Sequence, residues 1–337
     1  GDFLPVHSLN PNPAISLGSE WVAVMDMEHD ISGTVAGGGA DSVLYAFPLS
    51  DSVMGLPKEY LKLFHETGSG YGEVPIEYVT WNAAYAWVKS FSVYVLANFK
   101  NVLRVSAQFQ STEIDNVTKF NDLSTALASI SLPGSSNKYA VLVAGSENSG
   151  NSYTGSFMLP EYTTLAGGLS HAMISTVTSG DKNSVVRTDP KRFITKLLGN
   201  GNAPVLTIFH STGLGPTVPV PVENVIDGFF VEGNDVSSDV SVLAGGIALS
   251  AAGNITDVTV KNCVVSNCTG AHTGGVYVAN VNNMMFESCV FANNSQNSTA
   301  ITPGTITSSG AGGVFVTDIG PCPTEAKFRS CVFYGNS

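Results

Sequence analysis

The sequence predicts an all-β chain whose larger part is a parallel β-helix, a solenoid of short strands. Three observations predict it. A nine-residue segment recurs in one frame, a glycine-led strand motif interleaves with it, and the composition is apolar but poor in charge. Hydrophobic residues make up 43% and charged residues 12% of 337 positions, with 35 Gly and abundant Ser, Thr and Asn. A disordered chain would be charged and poor in apolar residues, and a coiled coil would need Glu, Lys and Leu in heptads.

The recurring segment reads Val260-Lys-Asn-Cys-Val-Val-Ser-Asn-Cys268, Phe286-Glu-Ser-Cys-Val-Phe-Ala-Asn-Asn294 and Phe328-Arg-Ser-Cys-Val-Phe-Tyr-Gly-Asn336. Ile226-Asp-Gly-Phe-Phe-Val-Glu-Gly-Asn234 fits the same frame. One inward column is Ile226, Val260, Phe286 and Phe328. The next is Phe229, Cys263, Cys289 and Cys331, and a third is Val231, Val265, Phe291 and Phe333. Asn234, Cys268, Asn294 and Asn336 close each turn, where amide side chains can bond to the coils above and below. The interleaved motif is Gly245-Gly-Ile-Ala-Leu249, Gly274-Gly-Val-Tyr-Val278 and Gly312-Gly-Val-Phe-Val316, a glycine corner followed by a β-prone run. Segment starts lie 34, 26 and 42 residues apart. A fixed frame with variable intervals is what a solenoid produces when insertions stay in lateral loops.

The five Cys stand at 263, 268, 289, 322 and 331. None forms a CxxC pair, so zinc and thioredoxin chemistry have no support. The odd number forbids complete intramolecular pairing. For Cys263, Cys289 and Cys331 the plain reading is a buried column of small apolar side chains.

Upstream, residues 137–210 read as the first coils, with runs at Tyr139–Val143, Tyr153–Pro160, Phe193–Asn200 and Val205–Phe209. Just ahead, Phe120, Leu123, Leu127 and Ile130 form a helical stripe that Asn121 or Asp122 can cap. A solenoid end exposes apolar interior and open edges, so this helix is expected to cover the N-terminal coil. The expected division is 1–92, a small N-terminal region of unclear fold serving as an attachment or accessory element, and 93–337, the solenoid. Within 1–92 stand a helix expected around Pro57–His65 and an aromatic segment, Tyr78–Trp87. No cap follows the turn that ends at Ser337, so a continuation of the polypeptide or another chain is expected to cover that coil.

The net charge is −12. Nucleic-acid and anionic-membrane binders need a basic face, and 15 Lys and Arg spread along the chain supply none. No apolar run is long enough for a transmembrane helix.

The elements Asn224-Val-Ile-Asp-Gly-Phe-Phe-Val231, Gly-Gly-Val-Tyr-Val and Ser-Cys-Val-Phe-Ala-Asn-Asn resemble secreted right-handed parallel β-helix proteins, in particular pectin-lyase-like surface proteins of Bacteroidota. The FxxN elements Phe291–Asn294 and Phe333–Asn336, alternating with the Gly-Gly motif, are also similar to chlamydial polymorphic outer membrane proteins. The resemblance spans about 93–337. It implies a right-handed single-stranded β-helix and an exported, extracellular or bacterial cell-surface protein, often an adhesin.

β-Helices also carry polysaccharide lyases and hydrolases. A hydrolase needs two carboxylates about 5–10 Å apart on one face. A lyase needs a base beside a carboxylate-held calcium. In the repeat frame Asp227, Lys261, Glu287 and Arg329 share a column of alternating sign, which reads as an outward charge ladder rather than an acid pair. Neither a pectinase-type GHG element nor a GxSxG elbow is present, and Gly37–Gly39 lacks the Lys of a phosphate loop. His272 falls in a loop. No catalytic residue is assigned and no cofactor is expected. The one cation with candidate ligands is calcium, through Asp235 and Asp239, although a solvated turn explains the same residues. The Asn-X-Thr sequons at Asn254, Asn267 and Asn297 are what chance supplies in so Asn- and Thr-rich a chain.

The leading functional reading is a non-enzymatic extracellular β-helix. It would be an adhesin or stalk that presents loops 235–243 and 295–311 to glycans or surface proteins. Its rivals are a polysaccharide-cleaving enzyme and a subunit of a larger surface assembly docked through 1–92 or the open last coil.

Overall fold

A computed structural model describes residues 6–11, 21–23, 27–32, 43–48, 61–66, 71–79, 83–88, 93–99, 101–131, 133–134, 137–147, 150–175, 192–210, 220–239, 241–297, 311–318 and 324–337. The chain forms two compact units, one built from 1–101 with 175–188 and the other from 102–174 with 189–337.

The larger unit is a parallel β-helix. Its strands pair in parallel, each with the strand one coil away, in sheets of eleven, six and three strands; the eleven-stranded one begins with strand Asn101–Val105. Register stacks like on like. Val141, Leu165, Ile226, Val260, Phe286 and Phe328 lie one above the next across six coils. Tyr153, Leu197, Val231, Val265, Phe291 and Phe333 do the same in the second sheet. Phe157, Leu206, Ile247, Val276 and Val314 form the third inward column. The core they enclose is continuous. The rings of Phe286 and Phe328 stack at 4.9 Å, as do those of Phe291 and Phe333, which is the spacing between hydrogen-bonded strands.

Two of these columns run two coils further toward the N-terminus than the repeated segments indicated. Val141, Leu165, Tyr153 and Leu197 are interchangeable apolar residues with no Cys to mark the frame, and only Asn200, three residues after Leu197, repeats the Asn position. The two sequence motifs also merge. Ile247–Lys261 and Val276–Glu287 are single long strands that begin at the glycine corner and end in the Cys-bearing segment. A register irregularity between Ser250 and Ile255 bends the first against its neighbour.

Two corners of each of the last four coils use left-handed backbone. Gly228, Asn262, Ser288 and Ser330 all have positive φ, and so do Gly233, Asn267, Asn293 and Gly335. These frame positions bracket the short strands of the second sheet, such as Phe230–Glu232 and Val264–Ser266. Gly and Asn tolerate that conformation, and serine does so at a cost.

The helical stripe forms the helix Leu123–Ala128, N-capped by Asp122, whose carboxylate accepts the Thr125 amide at 2.7 Å. Leu123, Ala126 and Leu127 are buried and join the solenoid core.

The smaller unit is antiparallel. One sheet pairs Val6–Pro11 with Met27–Ser32, and Val93–Phe99 with Trp21–Ala23, Met27–Ser32 and Leu61–Glu66. A second sheet of three strands places Ala83–Val88 between Val43–Pro48 and Ile76–Val79. Two expectations change here. Strand Val93–Phe99, assigned to the solenoid by the 92/93 division, pairs antiparallel in this unit, so the division moves to 101/102. Leu61–Glu66 is a strand, not the end of a helix starting near Pro57. Leu61 and Leu63 are buried on either side of half-buried Lys62, a period of two that pairing with Val93–Phe99 and Tyr71–Val74 satisfies. Residues 57–60 lie outside the described residues.

Candidate functional site

The solenoid uses its distinctive side chains to join coils. Cys263 donates its thiol proton toward the carbonyls of Lys261 (3.2 Å) and Ile226 (3.9 Å). Cys289 does so toward Glu287 and Val260, and Cys331 toward Arg329 and Phe286. Each thiol thus reaches back to the coil before it. Burial pushes the Cys263 thiol well above its ordinary pKa, and the neighbouring Cys289 adds to the shift. Burial also pushes Cys268 up to about 11. Such thiols stay protonated and inert at neutral pH. Phe229, at the head of the column, occupies space that Gly167 leaves open: a Cβ on Gly167 would lie 3.0 Å from the ring. Cys322 lies outside the described residues.

The amide ladder is equally structural. Asn294 accepts the Cys268 amide at 3.1 Å and donates to the Val265 carbonyl at 2.9 Å and to Asn336 Oδ1 at 3.1 Å. Asn336 donates onward to the Phe291 carbonyl. Asn234 donates to Ala203 and Gly245 and accepts the Gly201 amide. In the coil between them Cys268 stands in the Asn position and turns its thiol to the Ser266 carbonyl.

The alternating column Asp227–Lys261–Glu287–Arg329 is in register. It resolves into two ion pairs, Lys261–Asp227 at 3.6 Å and Arg329–Glu287 at 3.4 Å. Its Asp227 end is not outward as expected, because that carboxylate is only 2% exposed and also accepts the Asn262 amide at 2.8 Å. The column continues into Ala166 and Leu142, both fully buried, and the short helix His171–Ile174 packs on their two strands. This insertion covers the face at that level.

Asp235 and Asp239 sit in separate local turns. The Ser237 hydroxyl and amide hold the Asp235 carboxyl below its ordinary range, and those of Ser241 do the same for Asp239. Among the described residues no three His, Cys, Asp or Glu side chains gather into a metal-binding group. Loop 235–243 is described except for residue 240, and most of loop 295–311 lies outside the described residues.

The structure also joins a pair that no motif announced. Ser106 Oγ lies 2.9 Å from His171 Nδ1. The hydroxyl accepts the Gln108 amide at 3.1 Å, and the Phe109 ring sits edge-on to the imidazole at 5.1 Å. Serine and histidine at this distance suggest a nucleophile and its base. Ser106 is fully buried, however, so no substrate carbonyl reaches its oxygen. The two residues are 65 apart in sequence, which leaves no local signature.

One sizeable concavity in the solenoid unit is a groove of about 510 Å³ between the helix Leu123–Ala128 and strand Phe157–Met158. Leu127, Ile130, Pro133, Phe157, Met158 and Pro160 give it an apolar lining, with Ser124, Ser156 and Glu161 as its polar groups. Glu161 is the one carboxylate in this lining, whereas glycoside hydrolysis takes a pair.

No family model matches the chain, and no curated protein matches it in sequence. Among solved structures it is similar to the tailspike protein gp49 from Pseudomonas phage LKA1, at 10% identity and a TM-score of 0.14. The match covers 97% of this chain and 47% of that one, so the chain spans about half the tailspike's length. At that score neither fold nor activity carries over. The β-helix assignment stands on strand pairing and register alone. No described helix is long and apolar enough to cross a membrane.

Proposed function

We propose that this chain is a non-enzymatic extracellular or bacterial cell-surface β-helix, an adhesin or stalk of the pectin-lyase-like kind its repeat resembles. Loops 235–243 and 295–311 present polar groups to glycans or to other surface proteins. The observation that carries this reading is how the chemically capable side chains of the stacked coils are used. Thiols and amides bond coil to coil, and the column charges pair with one another. What remains outside is a rigid rod with hydroxyl- and amide-rich corners, suited to neutral ligands. The helix Leu123–Ala128 acts as the N-terminal cap, since its buried face completes the core that the first coil would otherwise expose.

The test pairs a glycan and surface-extract binding screen with an assay for released reducing ends and unsaturated sugars. Binding without product release is expected, weakened when residues 297–310 are replaced by a short Gly-Ser turn. Product release by the purified chain would overturn the proposal in favour of a polysaccharide-cleaving enzyme.

A further inference from the structure

The three-stranded sheet of the smaller unit breaks the usual rule for a half-buried antiparallel sheet. Its inner face is apolar as it should be, with Phe47, Ala84, Ala86 and Val88 buried. Its outer face should be polar. Instead Leu44 opposes Trp87, Ala46 opposes Tyr85, and Tyr78 opposes Tyr85 from the other side. Trp87 is 49% and Tyr78 43% exposed.

Tyr78 is on this face because of a bulge. Ile76 pairs with Ala86, and regular pairing would set Tyr78 against Ala84, on the inner face. The register shift at Glu77 carries Tyr78 to Tyr85 instead. The two rings then stack at 4.5 Å with planes 16° apart. Bulges of this kind re-aim side chains, often beside binding sites.

We infer that Tyr78, Tyr85 and Trp87 form a binding platform for the sugar rings of a neutral polysaccharide. Aromatic faces carry negative charge density that attracts the partly positive C–H face of a pyranose. Phenol hydroxyls and the indole N–H supply polar handles at the rim. Leu44, Ala46, Tyr78, Tyr85 and Trp87 are all uncharged, which suits a neutral ligand, with Glu77 the exposed charge beside them at the bulge. Size favours a sugar over a protein: three rings at these exposures offer on the order of 300 Å², against the ~800 Å² per partner of a stable protein interface. The inference rests on the glycan-binding part of the reading above and places a site away from the solenoid loops.

Affinity electrophoresis of the whole chain through gels containing β-glucan, xylan or galactomannan tests it. Retardation by at least one of them is expected, unchanged by high salt. Trp87→Ala and Tyr78→Ala should each weaken it about tenfold, the loss of one good aromatic contact. Tyr78→Phe should keep most of it, and circular dichroism of all variants should match the parent. If both alanine variants bind as the parent does, the inference fails and the loop-borne reading stands. If the parent binds no neutral glycan, the inference fails, while the loop-borne reading is left with its surface-protein arm, which the surface-extract screen tests. If Trp87→Ala instead turns a dimer into a monomer in sedimentation, the face is a contact between copies and the inference is wrong.

Discussion

The two units solve the same problem, covering apolar strand faces, by opposite pairings. In the solenoid each strand lies parallel and in register on the next, so Phe286 sits over Val260 and under Phe328. In the smaller unit strands run antiparallel, so Val6 meets Ser32 and Pro11 meets Met27. Parallel stacking copies a residue's environment onto its counterpart one coil away and rewards the same residue type there. Antiparallel pairing mirrors the order, so no residue recurs in a fixed frame. Repetition is therefore a trace of one pairing mode and not of β-structure in general.

The comparison is tested most severely by Phe291→Ala. Phe291 is fully buried between Phe286 and Phe333, and its truncation should cost about 3–5 kcal/mol. All three Trp, at 21, 81 and 87, lie in the smaller unit, so their fluorescence reports that unit. In urea, far-ultraviolet circular dichroism should show an earlier solenoid transition while the fluorescence midpoint stays in place. Coincident shifts of both signals would mean that the two units unfold as one.

Asn294→Ala should cost roughly 3 kcal/mol, because it strands the buried Cys268 amide and Val265 carbonyl together. Asn336→Ala, at the half-exposed last turn, should cost under about 1 kcal/mol, since water can replace its bonds. Equal losses in the same urea titration would refute the ladder as a burial-dependent device.

Alkaline pH separates the units again, because every Cys lies in the solenoid. An unfolded thiol titrates near 9.0 and the folded Cys268 at about 11. Between those values the unfolded chain releases a proton that the folded chain keeps, so stability falls as pH rises. The contribution is complete below about pH 9 and lost toward pH 11, on the order of 2 kcal/mol. Cys268→Ala should show a shallower decline in melting temperature across that window. Under native conditions maleimide should label Cys331 well before Cys263 or Cys268, as mass spectrometry of peptides would read; equal labelling would contradict the buried column.

The smallest effect expected is a gain. Ser288 holds φ at 53° in a column that Gly and Asn share. Ser288→Gly should stabilise the solenoid by up to about 1 kcal/mol, left-handed strain relieved minus the added freedom of the unfolded chain. A loss in thermal melts would show that the serine side chain holds the corner.

Much of the solenoid was legible because its frame carries rare residues. Cys263, Cys289 and Cys331 mark one column, and paired glycines mark the opposite corners. The first coils were harder to read, since Val141 and Leu165 are ordinary core residues that many frames accept. The smaller unit was not legible. The bulge at Glu77, which decides the face Tyr78 takes, depends on the register of pairing with Ala83–Val88, which the aromatic segment does not encode. Ser106 and His171 escaped notice for the same reason, since they meet only when coils stack.

By itself the sequence determined that the coils repeat and which residues of the last four coils share a column. These follow from local β-propensity and from the recurrence that parallel stacking imposes. Only the tertiary structure decided that Asp227 is buried while Arg329 is exposed, that strand Val93–Phe99 belongs to the antiparallel unit, and that three aromatic rings share an open face. Burial and facing are set by what packs against a strand, and that partner lies tens of residues away in the chain.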